Sequence, residues 1–151
     1  MFSVFLSACV LSLLTVITHA WGITLLLRHL ARVRSASASV WLIRRLLFIT
    51  IWWLVLLHLA EIWIWDLFYL WRGCLTDAET AFYFSASTYT TLGYGDVLLA
   101  KPWRVLGPIE SLLGVLMISL STGYFFLVVS RIHEPGMGKA TSASDASASE
   151  G

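Results

Sequence analysis

Three long apolar runs alternate with short polar stretches along this chain, and their lengths decide what kind of fold it can make. Phe2 to Leu27 contains no formally charged residue. Leu46 to about Leu70 is interrupted by His58, Glu61 and Asp66, and Val105 to Ile132 carries Glu110 as its only acid. A helix needs about 20 residues to cross a hydrocarbon core of ~30 Å, so each run reads as a transmembrane helix. Thr76 to Thr90, between the second and third runs, is too short and too polar to span. Its opening Thr76-Asp77-Ala78-Glu79 has capping-box spacing, with Thr76 as N-cap and Glu79 reaching back to it. A short helix from about Ala78 to Tyr89 should follow. The expected fold class is therefore an all-α integral membrane protein.

Residues 1–20 offer a second reading as a secretory signal. Thr18-His19-Ala20 has small residues at cleavage spacing, and Leu6-Ser7-Ala8-Cys9 resembles a lipoprotein box. No basic segment precedes the run, however, and it continues past Ala20, so a retained helix is expected. Composition agrees with the membrane assignment: 58% of the 151 residues are hydrophobic, 13% are charged, and mean hydropathy is +0.80. Eight tryptophans suit membrane interfaces. A net charge of +1 implies no nucleic-acid partner. Cys9 and Cys74 make no metal pattern and are expected as free thiols, although a Cys9–Cys74 bridge is conceivable if both ends lie outside the membrane.

The connection after the first run carries Arg28, Arg32, Arg34, Arg44 and Arg45 and no acid. By the positive-inside rule that loop is cytoplasmic, the N-terminus and the 76–96 region face outside, and Arg131 and Lys139 return to the cytoplasm. The arginines do not recur every third residue through an apolar helix, so no voltage sensor of the familiar kind is expected. Ser35-Ala36-Ser37-Ala38-Ser39 reads as a linker, and the Pro/Gly/Ser/Ala-rich end from Glu134 as a disordered tail. The resulting division is an N-terminal helix at 1–34, a cytoplasmic linker at 35–45, a unit at 46–133 and a tail at 134–151.

Directly after the short helix stands Thr90-Thr91-Leu92-Gly93-Tyr94-Gly95-Asp96. Alone, a Gly-Tyr-Gly-Asp string is an ordinary turn. Set between a re-entrant helix and a spanning one, it resembles the selectivity filter of the potassium-channel pore family, in the small bacterial two-transmembrane form with an extra N-terminal helix. Gly93 and Gly95 can take positive φ, so residues of alternating handedness can aim successive carbonyls at one axis. The resemblance implies K⁺ bound by the carbonyls of Thr91, Leu92, Gly93 and Tyr94 and by the Thr91 hydroxyl, with Gly95 completing the filter. Leu92 stands where the family usually has Val or Ile. A single filter strand per chain implies a homotetramer, each copy with three identical partner subunits in the lipid bilayer. No cofactor and no catalysis are implied, with K⁺ as the permeant ion.

The same resemblance suggests supports for the filter. Tyr83 occupies the place of an aromatic donor to Asp96, and Phe82, Tyr83 and Phe84 resemble the family's aromatic cuff. Ser87 and Thr90 flank the filter from the helix side, and Ser87 departs from the Glu or Val of some members. Buried ionisable groups are costly in a membrane. Glu61 and Glu110 are read as acceptors for helix hydroxyls such as Ser85 or Ser87. A competing reading makes His58 and Glu61, three apart on one helix face, a proton-sensitive site. His19, His58 and Glu61 can also be drawn as a mononuclear metal site.

In the third run, Trp103 and Arg104 form an interfacial anchor, and Pro108 falls in the first turns, where its missing N–H costs least. Gly114 sits at the family's flexible glycine. Val115, Ile118, Thr122 and Phe126 share a helical face that either lines a pore, with Phe126 as a hydrophobic gate, or packs against the second helix. Ser121-Thr122-Gly123 offers a second bending point. The function implied is passive, K⁺-selective conduction. The alternatives are a nonselective cation channel and a non-catalytic subunit of a K⁺ uptake system.

Overall fold

The computed structural model describes residues 2–33 and 40–133. The Ser/Ala linker at 35–39 and the tail at 134–151 lie outside the described residues. The order is α1 (Phe2–Val33), α2 (Val40–Trp71), α3 (Ala78–Tyr89), a 3-10 turn (Trp103–Val105) and α4 (Leu106–His133), with no strand among the described residues. Among the described residues, three stretches are long and apolar enough to cross a membrane: Phe2–Ala31, Trp41–Trp71 and Trp103–Ser130. α1 and α2, each of 32 residues, are about 48 Å long at 1.5 Å per residue, so their ends extend beyond the hydrocarbon. α2 begins at Val40, inside the 35–45 stretch expected as a linker. Val40, Trp41, Leu42 and Ile43 are apolar and continue into the hydrophobic run, which carries Arg44 and Arg45 into the first turns of α2.

Packing divides along the bundle. At one end Val4, Ala8 and Leu11 of α1 meet Trp65 and Tyr69 of α2, Phe84 of α3, and Leu106 and Leu113 of α4. At the other, Ile23 and Leu26 pack on Leu54 and Leu57, with Tyr124 and Phe125 of α4 against them. α1 and α2 are thus antiparallel, and α1 rests on both long helices of its own chain. Between these clusters lies a third, in which Ile62, Met117 and Tyr89 enclose the end of α3. Lipid is as apolar as leucine, so contact between helices here relies on close van der Waals fit and polar links rather than on escape from water. Trp65 donates to the Thr15 hydroxyl at 3.0 Å and Trp53 to the Gly22 carbonyl at 3.0 Å, two such links between α1 and α2.

Glycine sets the closest approaches. A Cβ on Gly114 would stand 2.0 Å from the Tyr89 carbonyl oxygen, so only glycine lets α4 cross the end of α3 at this distance. This gives Gly114 a packing duty distinct from the bending one expected of it, and α4 runs through it as unbroken helix. A Cβ on Gly22 would instead meet the Leu57 side-chain methyls at 2.4 and 2.8 Å, atoms that can turn aside. Gly114→Ala should therefore destabilise the fold by about 1–3 kcal/mol or more, the usual range for overpacking, and Gly22→Ala by less. Thermal unfolding in detergent checks the order; equal losses would contradict it.

Candidate functional site

α3 is positioned by its first residue pair. Asp77 is the N-cap, in extended conformation at φ −146 and ψ 160, and its carboxylate accepts from the Thr80 amide at 2.8 Å. The Thr80 hydroxyl adds a bond of 2.8 Å and the Thr76 hydroxyl one of 3.0 Å. The expected capping box is thus displaced by one residue: Thr76 supports the cap and Asp77 forms it. The residue before Ala78 must be extended for its oxygen to reach the amide three positions on, and that residue is Asp77. The Thr80 amide, followed by the two hydroxyls, holds the Asp77 carboxyl below its ordinary value, which places negative charge at the positive end of the helix.

At the other end α3 leads straight into residues 91–96. Thr91 (φ 62), Gly93 (φ 50) and Gly95 (φ 79) all adopt left-handed backbone. Leu92 and Tyr94 between them do not, so handedness alternates residue by residue. A threonine in this region is uncommon and strained. Hydrogen bonds hold it there: the Thr91 amide donates to the Thr88 carbonyl at 2.9 Å, and the Gly93 amide to the Ser87 carbonyl at 3.1 Å. Ser87 therefore reaches the motif through its backbone, while its hydroxyl donates to the Phe84 carbonyl at 3.0 Å rather than to an acid. Thr90 turns its hydroxyl back onto the Ala86 carbonyl at 2.7 Å.

The far end of the motif is fastened by a side chain. The Tyr83 hydroxyl donates to Asp96 at 2.7 Å, across 13 residues, and the Val97 amide donates to the other Asp96 oxygen at 3.0 Å. Phe82 and Phe84 do not join Tyr83 in one cluster. Successive helical residues point about 100° apart, so Phe84 enters the core edge-on to Tyr69 at 5.3 Å, Phe82 packs beside Tyr89, and Tyr83 is exposed.

Behind α3 stand two fully buried carboxylates. Glu110 of α4 accepts from the Ser85 hydroxyl and, at 2.7 Å, from Tyr69 of α2. Ser85 also lies 3.0 Å from the Ile62 carbonyl. Glu61 of α2 accepts from the Tyr89 hydroxyl, the last residue of α3. Its other oxygen lies 2.8 Å from His19 Nδ1 of α1, and His58 Nδ1 is 3.0 Å from the Tyr89 hydroxyl. The pairing of Glu110 with Ser85 matches expectation, whereas Glu61 takes Tyr89 and His19, partners that spacing in sequence could not reveal. His19, His58 and Glu61 do bring ligand atoms within 4.8 Å of one another. Glu61 is bonded by Tyr89 and His19, and Tyr89 is met by His58, with His58 Nδ1 3.5 Å from the carboxylate, so the trio is already linked as a polar chain between helices. Cys9 and Cys74 are both free.

On α4, Val115, Ile118, Thr122 and Phe126 are all exposed, Phe126 to 72%, while Leu113, Met117, Ser121 and Val128 are buried. The four-residue face therefore does not pack against α2. It is presented outward, on the side of α4 away from the chain's own core.

The Asp96 carboxyl is held below the ordinary aspartate value, chiefly by the Tyr83 hydroxyl. The stabilisation from this depressed group is complete above the ordinary value and is lost as pH falls through the folded one. Tyr83→Phe should move the Asp96 titration upward toward the ordinary value in a carboxyl NMR titration. An unchanged midpoint would show that the hydroxyl does not hold the carboxylate.

Residues 46–131 match a family model described as an ion channel. No curated protein and no solved structure matches the chain. The matched stretch takes in most of α2, all of α3 and the alternating motif, and nearly all of α4, more than half of the sequence, and leaves α1 outside. With its three spanning helices, the chain is a multi-pass membrane protein, and it belongs to this ion-channel family.

Proposed function

We propose that the chain is the subunit of a potassium-selective channel, assembled as four copies around a central axis. The observation that carries this reading is the alternation of left-handed backbone at Thr91, Gly93 and Gly95, immediately beyond the C-terminus of α3. In four copies such a strand turns the carbonyls of Thr91, Leu92, Gly93 and Tyr94 toward one line, where they replace the water shell of a dehydrated K⁺. The Thr91 hydroxyl adds an innermost ring. The C-terminus of α3 supplies the negative end of its dipole to a cation waiting below. Leu92 and Tyr94 are exposed in the single chain at 60% and 67%, as side chains that meet neighbouring copies would be. Conduction is passive, with ions in file moving down their gradient.

The arginines gathered at the end of α1 and the start of α2, Arg28, Arg32, Arg44 and Arg45, support a cytoplasmic location for that end of the bundle by the positive-inside rule, with the N-terminus and the filter outside and the C-terminus inside. The outward face of α4 then lines the pore, and Phe126, near the cytoplasmic end, forms a hydrophobic constriction that closes by dewetting.

Flux from reconstituted liposomes tests the reading. K⁺ should pass in strong preference to Na⁺, with block by Ba²⁺; equal fluxes would leave a nonselective cation channel, and none a non-conducting subunit. Phe126→Ala should raise open probability in bilayer recordings, and an unchanged open probability would assign Phe126 to lipid contact.

A further inference from the structure

The helix outside the family match, α1, reaches the end of α3 through a single polar chain. From the geometry of that chain we infer that His19 is a positioning residue of the pore: it fixes Glu61, Glu61 fixes Tyr89, and α1 thereby helps to set the base of the filter. The inference rests on the potassium-channel reading above and goes beyond it by giving the extra helix a task.

Counting donors shows why the chain is rigid. The Tyr89 hydroxyl has one proton, which goes to Glu61. The contact of 3.0 Å between His58 Nδ1 and the same hydroxyl then requires the histidine to donate to the phenolic oxygen. His19 Nδ1, 2.8 Å from the remaining Glu61 oxygen, must donate as well. His19 is itself buried at 3% exposure, and its Nε2 has no hydrogen-bond partner. The ring therefore meets its polar neighbours through Nδ1 alone, and that contact is the one made to Glu61. Each member thus has one arrangement that satisfies its neighbours.

Removing His19 leaves a Glu61 oxygen with no donor at a site of 0% exposure. The orphaned oxygen must then turn to find a donor. The nearest, His58 Nδ1, lies 3.5 Å from the other Glu61 oxygen with its proton already directed at Tyr89, so the Tyr89 hydroxyl is disturbed with the carboxylate. Tyr89 cannot follow by side-chain motion alone. Its carbonyl is pressed on Gly114, its ring is enclosed by Ile62 and Met117, and the next residues are Thr90 and the strained Thr91. Displacement therefore passes into the backbone that begins the filter.

The Trp65–Thr15 bond provides the comparison, because it also joins α1 to α2 and is buried. It ends on Thr15, whose hydroxyl donates to Leu11 within α1. No hydrogen bond leads from it to α3.

The test is the K⁺/Na⁺ flux ratio of full-length tetramers in liposomes, for the parent chain, His19→Ala, His19→Asn and Trp65→Phe. His19→Ala should lower the ratio by about tenfold, the factor carried by about 1.4 kcal/mol of lost charge-assisted bonding. His19→Asn, whose amide nitrogen lies near the place of Nδ1, should recover most of it, and Trp65→Phe should match the parent. If His19→Ala does not assemble, His19→Gln, with its donor carried one bond farther out, is read against the same two variants. An unchanged ratio in the tested His19 variant overturns the inference. So does an equal fall in Trp65→Phe, which would mean that any loosening of α1 suffices. A parent that does not prefer K⁺ removes the potassium-channel reading itself, a separate outcome.

Discussion

A helix that stops inside a membrane leaves its last carbonyls with no water to accept from, and irregular backbone at that depth is tolerated only where protein satisfies it. In the channel proposed above α3 is such a helix, and the rest of the molecule packs around its C-terminal end. The Ala86 carbonyl takes the Thr90 amide, the Ser87 carbonyl takes Gly93, and the Thr88 carbonyl takes Thr91 together with the Ser111 hydroxyl of α4 at 2.8 Å. The donors that terminate α3 are thus mostly the amides of the motif that follows. Satisfying the helix end and bending residues 91–95 into alternating backbone are one event. The Tyr89 carbonyl lies against Gly114, where the lack of a Cβ allows α4 to close over the site.

The two fully buried carboxylates, Glu61 and Glu110, follow from the same constraint. A carboxylate in hydrocarbon is expensive unless its oxygens are supplied with donors. Glu110 and Glu61 are supplied by Ser85 and Tyr89, one from the middle and one from the end of α3, and each recruits a further donor from a different helix. Each therefore joins three helices at one point. Membrane helices lack a hydrophobic drive to associate, and individual polar links between them average only about 0.6 kcal/mol. Their value here is directional, since they set the rotation and depth of α3 more sharply than apolar contact can.

Much of this was legible in the sequence where the signal is local. The bounds of α3, Ala78 to Tyr89, follow from the polar start and the glycine motif at its end. The three spans follow from long runs of apolar residues, and the Tyr83–Asp96 bond was suggested by the resemblance to the potassium-channel pore family. What was misread turned on single-residue geometry. Thr76 and Asp77 both offer a capping oxygen, and only the extended backbone at Asp77 decides between them. Phe82, Tyr83 and Phe84 are adjacent in sequence yet point to three different neighbours. What was not legible is long-range. His19 lies 42 residues from Glu61, and no periodicity reveals which face of α1 meets which face of α2. Gly114 is comparable: a bend and a close crossing call for the same residue, and only the position of the Tyr89 carbonyl separates them.

In the proposed channel the clamped end of α3 holds residues 91–95 as a file of carbonyl sites in a fourfold assembly. Anomalous diffraction from the protein crystallised with Rb⁺ or Tl⁺ tests it most directly. A row of ion peaks is expected on a fourfold axis, ringed by carbonyls of Thr91, Leu92, Gly93 and Tyr94. Carbonyls turned away from any shared axis, with no ion density between copies, would contradict it.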